Sequence, residues 1–221
     1  MTNWNNKAYL FLMIGCIQYI ILIFIAMLFY AGGTYNNPSN QGYSFWENSL
    51  SDLGRTVAYS GKENTISLIL FSFTLFLWGF SLIPFFMILP KLFIENDLEK
   101  KLSIIGSIFG IIAAFGLIGI SFTPDDILDG PHMISVYIAY TSLVLTGLSY
   151  SIVFYKDLRI PKWFTCAFII FTVIQFTTSI LGLIGLSSLH TLMTIAQKIG
   201  RYTTVIVFAL VGYGFLKLDL K

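Results

Sequence analysis

Charged residues are scarce in this sequence, and their scarcity argues against a soluble domain. Only 11% of the 221 residues are Asp, Glu, Lys or Arg, whereas 56% are hydrophobic. Soluble domains carry about twice that charged fraction. The composition is instead that of a polytopic membrane protein, and the length suits one domain covering residues 1–221. The net charge of +2 is too small to indicate a nucleic-acid partner.

Cysteine and histidine are also rare. Cys16 and Cys166 both lie in apolar runs, which argues against a disulfide framework, and no cysteine spacing indicates a zinc finger. The only histidines, His132 and His190, are too few to form a zinc site without carboxylate ligands. We therefore expect no resident cofactor or metal. A divalent metal such as zinc, held partly by carboxylates, is the alternative.

Long apolar runs are what the sequence contains in abundance. A helix that spans a bilayer needs about 20 apolar residues, and six stretches meet or nearly meet that length. They run approximately over residues 8–30, 65–89, 102–122, 132–154, 164–186 and 195–216. We therefore expect an all-α integral membrane protein built as a bundle of six transmembrane helices.

The basic residues predict how this bundle is oriented. If the N-terminus is cytoplasmic, nine of the 13 Lys and Arg residues fall on the inner side and four on the outer side. Cytoplasmic loops are enriched in Lys and Arg, so the N-terminus and the C-terminus are both predicted to be cytoplasmic. Residues 31–64, 123–131 and 187–191 then face outward. Any polar site of the protein is expected at this outer face.

The first outer loop, residues 31–64, is the longest polar gap in the sequence. Loops beyond about 15 residues in a compact domain are usually functional or disordered. Four apolar residues have the spacing of a short interfacial helix: Phe45, Trp46, Leu50 and Leu53. The dense polar run at residues 47–55 supplies the candidate ligand-binding residues Ser51, Asp52 and Arg55. Asp52 and Arg55 are three residues apart and could pair with each other.

Two other segments supply three further candidates at the outer face. Asp125 and His132 flank the turn between the third and fourth spans, and His190 precedes the sixth span. Asp52, Asp125 and His132 are also the candidate catalytic residues, because carboxylates and imidazoles perform general acid and base chemistry.

Arg201 is the most unusual charge in the sequence. Only 15 residues separate it from Lys217, which is too few to cross a bilayer. Counting about 20 residues back from Lys217 starts the helix near Gln197 and leaves Arg201 roughly 6 Å below the outer boundary. Arg201 must then extend outward to water or pair with an acid, for which Asp52 or Asp125 would serve. Lys198 lies on the same helix face and completes the candidate set.

Three short motifs carry a family resemblance. They are Ser51-Asp52-Leu53-Gly54 after the first span, Pro124-Asp125 with His132 after the third, and Gln197-Lys198-Ile199-Gly200-Arg201 entering the sixth. Together they resemble the pattern of the prokaryotic membrane family called domain of unknown function 998, over nearly the whole chain in span order. The resemblance implies a multi-pass protein of a prokaryotic cell membrane, with six helices and a polar outer pocket. It implies no established activity.

Two weaker similarities concern the same residues. The Ser-Asp-x-Gly loop is similar to that of the eukaryotic six-span family of autophagy modulators and GPI-lipid remodelling factors, although the acidic Pro-Glu continuation is missing. The alkaline ceramidase-like hydrolases use a serine, an aspartate and three histidines around zinc. This chain has Ser51, Asp52, His132 and His190, but it has no His-x-x-x-His.

Three functional hypotheses follow from the sequence. In the first, the bundle binds a membrane lipid headgroup or other small amphiphile at its outer face, with Lys198 and Arg201 holding a phosphate or carboxylate. In the second, Asp52, Asp125 and His132 bind a metal or act as acid and base in a membrane hydrolase that acts on lipids. In the third, the polar cluster is structural and only ties the first loop to the bundle.

Overall fold

The computed structural model describes residues 3–218, apart from the side chains of residues 3 and 186–188. Six long helices account for most of this range: α1 (Asn3–Leu28), α2 (Thr65–Ile88), α3 (Asp97–Ser121), α4 (Asp129–Lys156), α5 (Lys162–Ser188) and α6 (His190–Lys217). All six are long and apolar enough to cross a membrane. The described residues form no β-strand beyond one isolated bridge, between Val57 and Glu63. The prediction of an all-α fold with six membrane-spanning helices is confirmed at this level.

Helices α1, α3 and α6 each begin five residues before the predicted span. For α6, the apolar run was expected to begin at residue 195, but the helix begins at His190. Its first turns carry polar residues, including Thr194 and Lys198, that are buried against the rest of the protein. A count of apolar residues misses such turns because it assumes that a membrane helix faces only lipid. Arg201 therefore lies 11 residues into α6, roughly 16 Å from its start at 1.5 Å per residue.

Each helix packs against its neighbours in the chain, and α1 packs against α6, which closes the bundle into a ring. Residues 29–64, residues 122–128 and residue 189 connect helices at one end, which we call the loop end. The connections 89–96 and 157–161 lie at the opposite end. The three segments predicted to share one side of the protein therefore do so.

A cluster of buried aromatic rings fills the bundle towards the opposite end. Phe208 of α6 packs against the rings of Phe85 and Phe86 of α2 and of Phe168 and Phe171 of α5, with ring centres 5.6–6.1 Å apart. All five side chains are fully buried. This cluster fixes the helix positions on which the loop end is built.

The first loop folds back onto the loop end rather than extending away from it. Gly33 has a φ of +83°, and a Cβ at this position would collide with the Ser60 backbone nitrogen, so only glycine fits here. Among the described residues, the only helical element of the first loop is a single 3-10 turn at Ser51–Gly54, whose residues are buried. The interfacial helix proposed for this loop and the cytoplasmic location of the termini stay predictions.

Candidate functional site

Asp52 is buried in the 3-10 turn and holds the surrounding loop in place. Asn48 Nδ2 donates to Asp52 Oδ2 at 2.9 Å. Ser49 donates to the same carboxylate through its backbone N–H at 2.9 Å and its hydroxyl at 2.7 Å. Asn48 also donates to the Gly33 carbonyl at 3.0 Å, which joins two parts of the loop. Because three donors occupy a carboxylate that is 1% exposed, Asp52 has little free capacity for a ligand.

Ser51 lies at the centre of a hydrogen-bond chain that connects α6, the first loop and α4. Gln197 Oε1 accepts from the Leu50 N–H at 2.7 Å, and its amide nitrogen donates to Ser51 Oγ at 3.2 Å. Ser51 Oγ lies 3.1 Å from His132 Nε2, and His132 Nδ1 lies 2.6 Å from the Thr123 carbonyl oxygen. A carbonyl oxygen only accepts, so Nδ1 carries a proton. When the ring is neutral, Nε2 is then unprotonated and can accept a hydrogen bond from the Ser51 hydroxyl.

The turn between α3 and α4 fastens the first loop through its two adjacent aspartates. Asp125 Oδ1 lies 3.4 Å from Arg55 Nη1, and the Arg55 guanidinium lies 4.2 Å from the centre of the Tyr59 ring. The Asp126 carboxylate accepts from the Thr56 hydroxyl at 2.6 Å and from the Thr56 backbone N–H at 3.0 Å. Arg55 thus pairs with Asp125 across the two segments and not with Asp52, its expected neighbour in the loop.

Burial changes the acid–base properties of this turn. It raises the pKa of Asp125 to about 7, although the Arg55 guanidinium opposes the shift. The single contact at 3.4 Å is too weak to compensate for the desolvation of the carboxylate. Asp125 therefore exchanges a proton near neutral pH, which an exposed aspartate does not do.

A cavity of about 380 Å³ lies beneath the first loop, between α4, α5 and α6. Six of the eight predicted ligand-binding residues line it: Ser51, Asp52, Arg55, Asp125, His132 and His190. The walls supplied by the three helices are largely apolar or aromatic, with Met133, Val136, Tyr137, Tyr140, Leu183 and Met193, although Thr141, Thr178 and Ser179 add hydroxyls. The cavity thus combines charged and polar side chains with mostly apolar helix walls, and its volume falls in the range of small-molecule sites.

Lys198 and Arg201 do not line this cavity. Both are buried, at 4% and 6% exposure, and Lys198 Nζ donates to the Asn48 carbonyl. The Arg201 guanidinium lies 5.3 Å from the centre of the Trp78 ring and 5.1 Å from that of Tyr140. No carboxylate of the described residues forms an ion pair with Arg201. It neither reaches water nor pairs with Asp52 or Asp125, because aromatic faces and α2 enclose it instead.

A second, much smaller void separates Arg201 from Ser51. It has a volume of about 10 Å³, room for roughly one water molecule, and Ser51, Gln197 and Arg201 border it. Ser51 and Gln197 also border the large cavity. A buried positive charge therefore borders the same small void as Ser51.

Gln197 was not predicted as a site residue, although it donates to Ser51 and fastens the loop to α6. Its position one helical turn before Arg201 places both on one face, and this was the available signal. His190 stacks on Tyr35 with ring centres 4.7 Å apart, and its Nδ1 has no hydrogen-bond partner. In residues 3–218, no three His, Cys, Asp or Glu side chains are grouped closely enough to hold a metal ion.

Comparisons of the chain with protein-family models, with curated proteins and with solved structures find no match. The indications of function are therefore the geometry of the cavity and the residues around it. The described residues form a bundle of six helices with the length and composition of a multi-pass membrane protein, with a pocket at its loop end.

Proposed function

We propose that this protein binds a lipid headgroup or another small amphiphile in the cavity at its loop end. The observation that carries the proposal is that charged and polar side chains and mostly apolar helix walls line the same cavity. An amphiphile presents the same two chemistries. The proposal includes the predicted orientation, with this end at the outer face of a prokaryotic cell membrane, and the resemblance to the family called domain of unknown function 998.

Arg55 is the group best placed to contact an anionic headgroup. It is the only Lys or Arg side chain among the described residues that lines the cavity. Its guanidinium offers several N–H donors to a phosphate or carboxylate. This assignment replaces Lys198 and Arg201 as direct contacts with the headgroup, since neither borders the cavity.

The apolar part of the ligand would lie along α4 and α5. Met133, Tyr137 and Leu183 line this part of the cavity. Their flexible or flat apolar surfaces adapt to an acyl chain without requiring one chain length. The hydrolase alternative uses the same cavity, and the hydrogen-bonded pair of Ser51 and His132 is the observation that favours it.

Filling the cavity tests the proposal. Gly182 lines the cavity, and a Cβ added there meets no atom within 4 Å, so Gly182→Leu is tolerated by the helix and occupies the cavity. We expect this variant to lose bound lipid, measured by mass spectrometry of the purified protein, and to bind a fluorescent amphiphile at least tenfold more weakly. Gly130→Leu is the matched control, because Gly130 also has open space around its Cβ but does not line the cavity. Equal binding by both variants would contradict the proposal.

A further inference from the structure

The Ser51 hydroxyl meets the structural requirements of an activated nucleophile. Its oxygen lies 3.1 Å from His132 Nε2, within the reach of about 2.6–3.2 Å expected between a nucleophile and its base. The other nitrogen of the base is held by the Thr123 carbonyl at 2.6 Å, which fixes the orientation of the ring. Ser51 and His132 both line the large cavity. A ligand in the cavity is therefore adjacent to the reactive pair.

We infer that Ser51 and His132 form a nucleophile–base pair that hydrolyses an ester bond of the amphiphile held in the cavity. The inference rests on the proposed function, since the cavity must bind the substrate. It assigns Ser51 and His132 as catalytic residues. Asp52, whose carboxylate is already occupied by three donors, serves instead to hold the loop that carries Ser51.

The reaction proceeds in two steps, acylation of Ser51 and then its deacylation by water. Ser51 Oγ attacks the ester carbonyl carbon while its proton moves to His132 Nε2. The bond from that carbon to the alcohol oxygen then breaks, and His132 returns the proton to the departing alcohol. Water next attacks the acylated Ser51 with His132 again as base, which releases a carboxylic acid and restores the hydroxyl. Water is the only co-reactant, and nothing is oxidised or reduced.

The surroundings of Ser51 favour the negative charge that develops in this reaction. The charge appears on the former carbonyl oxygen, which is bonded to the carbon that Ser51 Oγ attacks. The Gln197 amide nitrogen lies 3.2 Å from Ser51 Oγ, so an amide donor is close to that position. Arg201 borders the small void that Ser51 also borders, and Arg55 lines the large cavity. Fixed donors and positive charges near a developing oxyanion stabilise it.

The nature of the group behind His132 indicates an ester and not an amide. In serine proteases, a buried carboxylate stabilises the imidazolium that forms during attack. Here the corresponding group is the Thr123 carbonyl, which supplies a dipole but no negative charge. An alcohol leaves more readily than an amine from the tetrahedral intermediate. The weaker base assistance in this protein is therefore suited to ester cleavage.

A fluorophosphonate probe tests the pair directly in the full chain, purified in detergent. An activated serine displaces the fluoride and retains the phosphorus, which mass spectrometry locates on a single peptide. We expect labelling at Ser51, a loss of at least a hundredfold in labelling rate for His132→Gln, and no labelled peptide in Ser51→Ala. Ser135→Ala is the control, because Ser135 lies on α4 with His132 and donates to the Pro131 carbonyl, outside the cavity. It should label at the wild-type rate.

The outcomes separate this inference from the proposed function. If Ser51 stays unlabelled by both a short-chain and a long-chain probe while amphiphile binding persists, the catalytic inference is overturned and the binding function stands. Labelling that is equal in His132→Gln and in the wild type would also overturn it, because the base would then be unnecessary. Labelling by both probes without any amphiphile binding supports an activated Ser51 and rejects the proposed ligand. Unfolding temperatures of the variants identify any loss that comes from misfolding.

Discussion

The two ends of this bundle are built from the same helices but are filled in opposite ways. Along α5, the inward positions near its start are Phe164, Phe168 and Phe171, which are fully buried. Three turns further on, α5 presents Thr178, Ser179 and Gly182 to the cavity. The helix therefore changes from large rings to small side chains while its neighbours stay the same.

The small side chains of α5 at the loop end leave space of the kind that aromatic rings fill at the other end. A void in a packed core costs stability in proportion to its size. The aromatic end shows that this sequence can fill such space. At the loop end, small residues leave the space beside the polar residues unfilled at a cost in stability, as expected for a binding site.

The largest predicted effect tests whether the two ends differ in packing. Phe208→Ala removes a ring that touches four other rings, and we expect a loss of about 3 kcal/mol in the free energy of unfolding. Val136→Ala, at the cavity wall, should cost less than about 1 kcal/mol, because one side of Val136 already faces empty space. Chemical denaturation of the purified protein in micelles measures both values. Equal losses would mean that the loop end is as tightly packed as the aromatic end.

A second, smaller effect tests how the first loop is held in place over the cavity. Asp126 fastens the first loop, and Asp126→Ala should lower the local stability of that loop by about 1–2 kcal/mol through lost hydrogen bonds to Thr56 and Val57. Hydrogen exchange at the Thr56 and Val57 amides and protease cleavage within residues 34–46 measure the change. The control is Glu47→Ala, which removes an exposed carboxylate from the same loop. If the amides at the aromatic end also exchanged faster in Asp126→Ala, the effect of Asp126 would not be confined to the loop.

The stability that Asp126 contributes to the first loop also depends on pH, and the direction of the change follows from its pKa. Burial disfavours the carboxylate, but hydrogen bonds from Thr56 and Val57 outweigh it and lower the pKa of Asp126. A carboxyl group with a lowered pKa stabilises the folded state fully above its unfolded pKa of about 4. The contribution disappears as the pH falls through the lowered value. Acid should therefore release the loop in the wild type and have less effect in Asp126→Ala.

The number and positions of the helices were predictable because they depend on apolar runs, which are local in sequence. The loop end was predictable for a related reason, since short connections force its segments to the same side. This is why Ser51, Asp125, His132 and His190 were expected together and why the structure brings them to one cavity. Apolar runs and short connections place residues at one end of a bundle without specifying which atoms are in contact.

The pairings were not predictable because they depend on helix rotation and on the path of the loop. Residues 51 and 197 are far apart in the chain, and a turn of α6 by one residue would move Gln197 away from Ser51. Arg201 was expected to extend to water or to pair with an acid, but it packs against the rings of Trp78 and Tyr140 in the structure. Aromatic faces attract cations without an ion pair, and a search for opposite charges overlooks them.

The smallest predicted effect concerns charge at the cavity and has no counterpart at the aromatic end. Burial raises the pKa of Asp125 to about 7, so the cavity lining gains negative charge as the pH rises through neutrality. Repulsion on the order of 1 kcal/mol should weaken binding of an anionic amphiphile about fivefold between roughly pH 5.5 and pH 8.5, while an uncharged analogue stays unaffected. Asp125→Asn should bind the anionic probe equally at both pH values, at the wild-type affinity found in acid. If binding by Asp125→Asn still depended on pH, a group other than Asp125 would be responsible for the change in charge at the cavity.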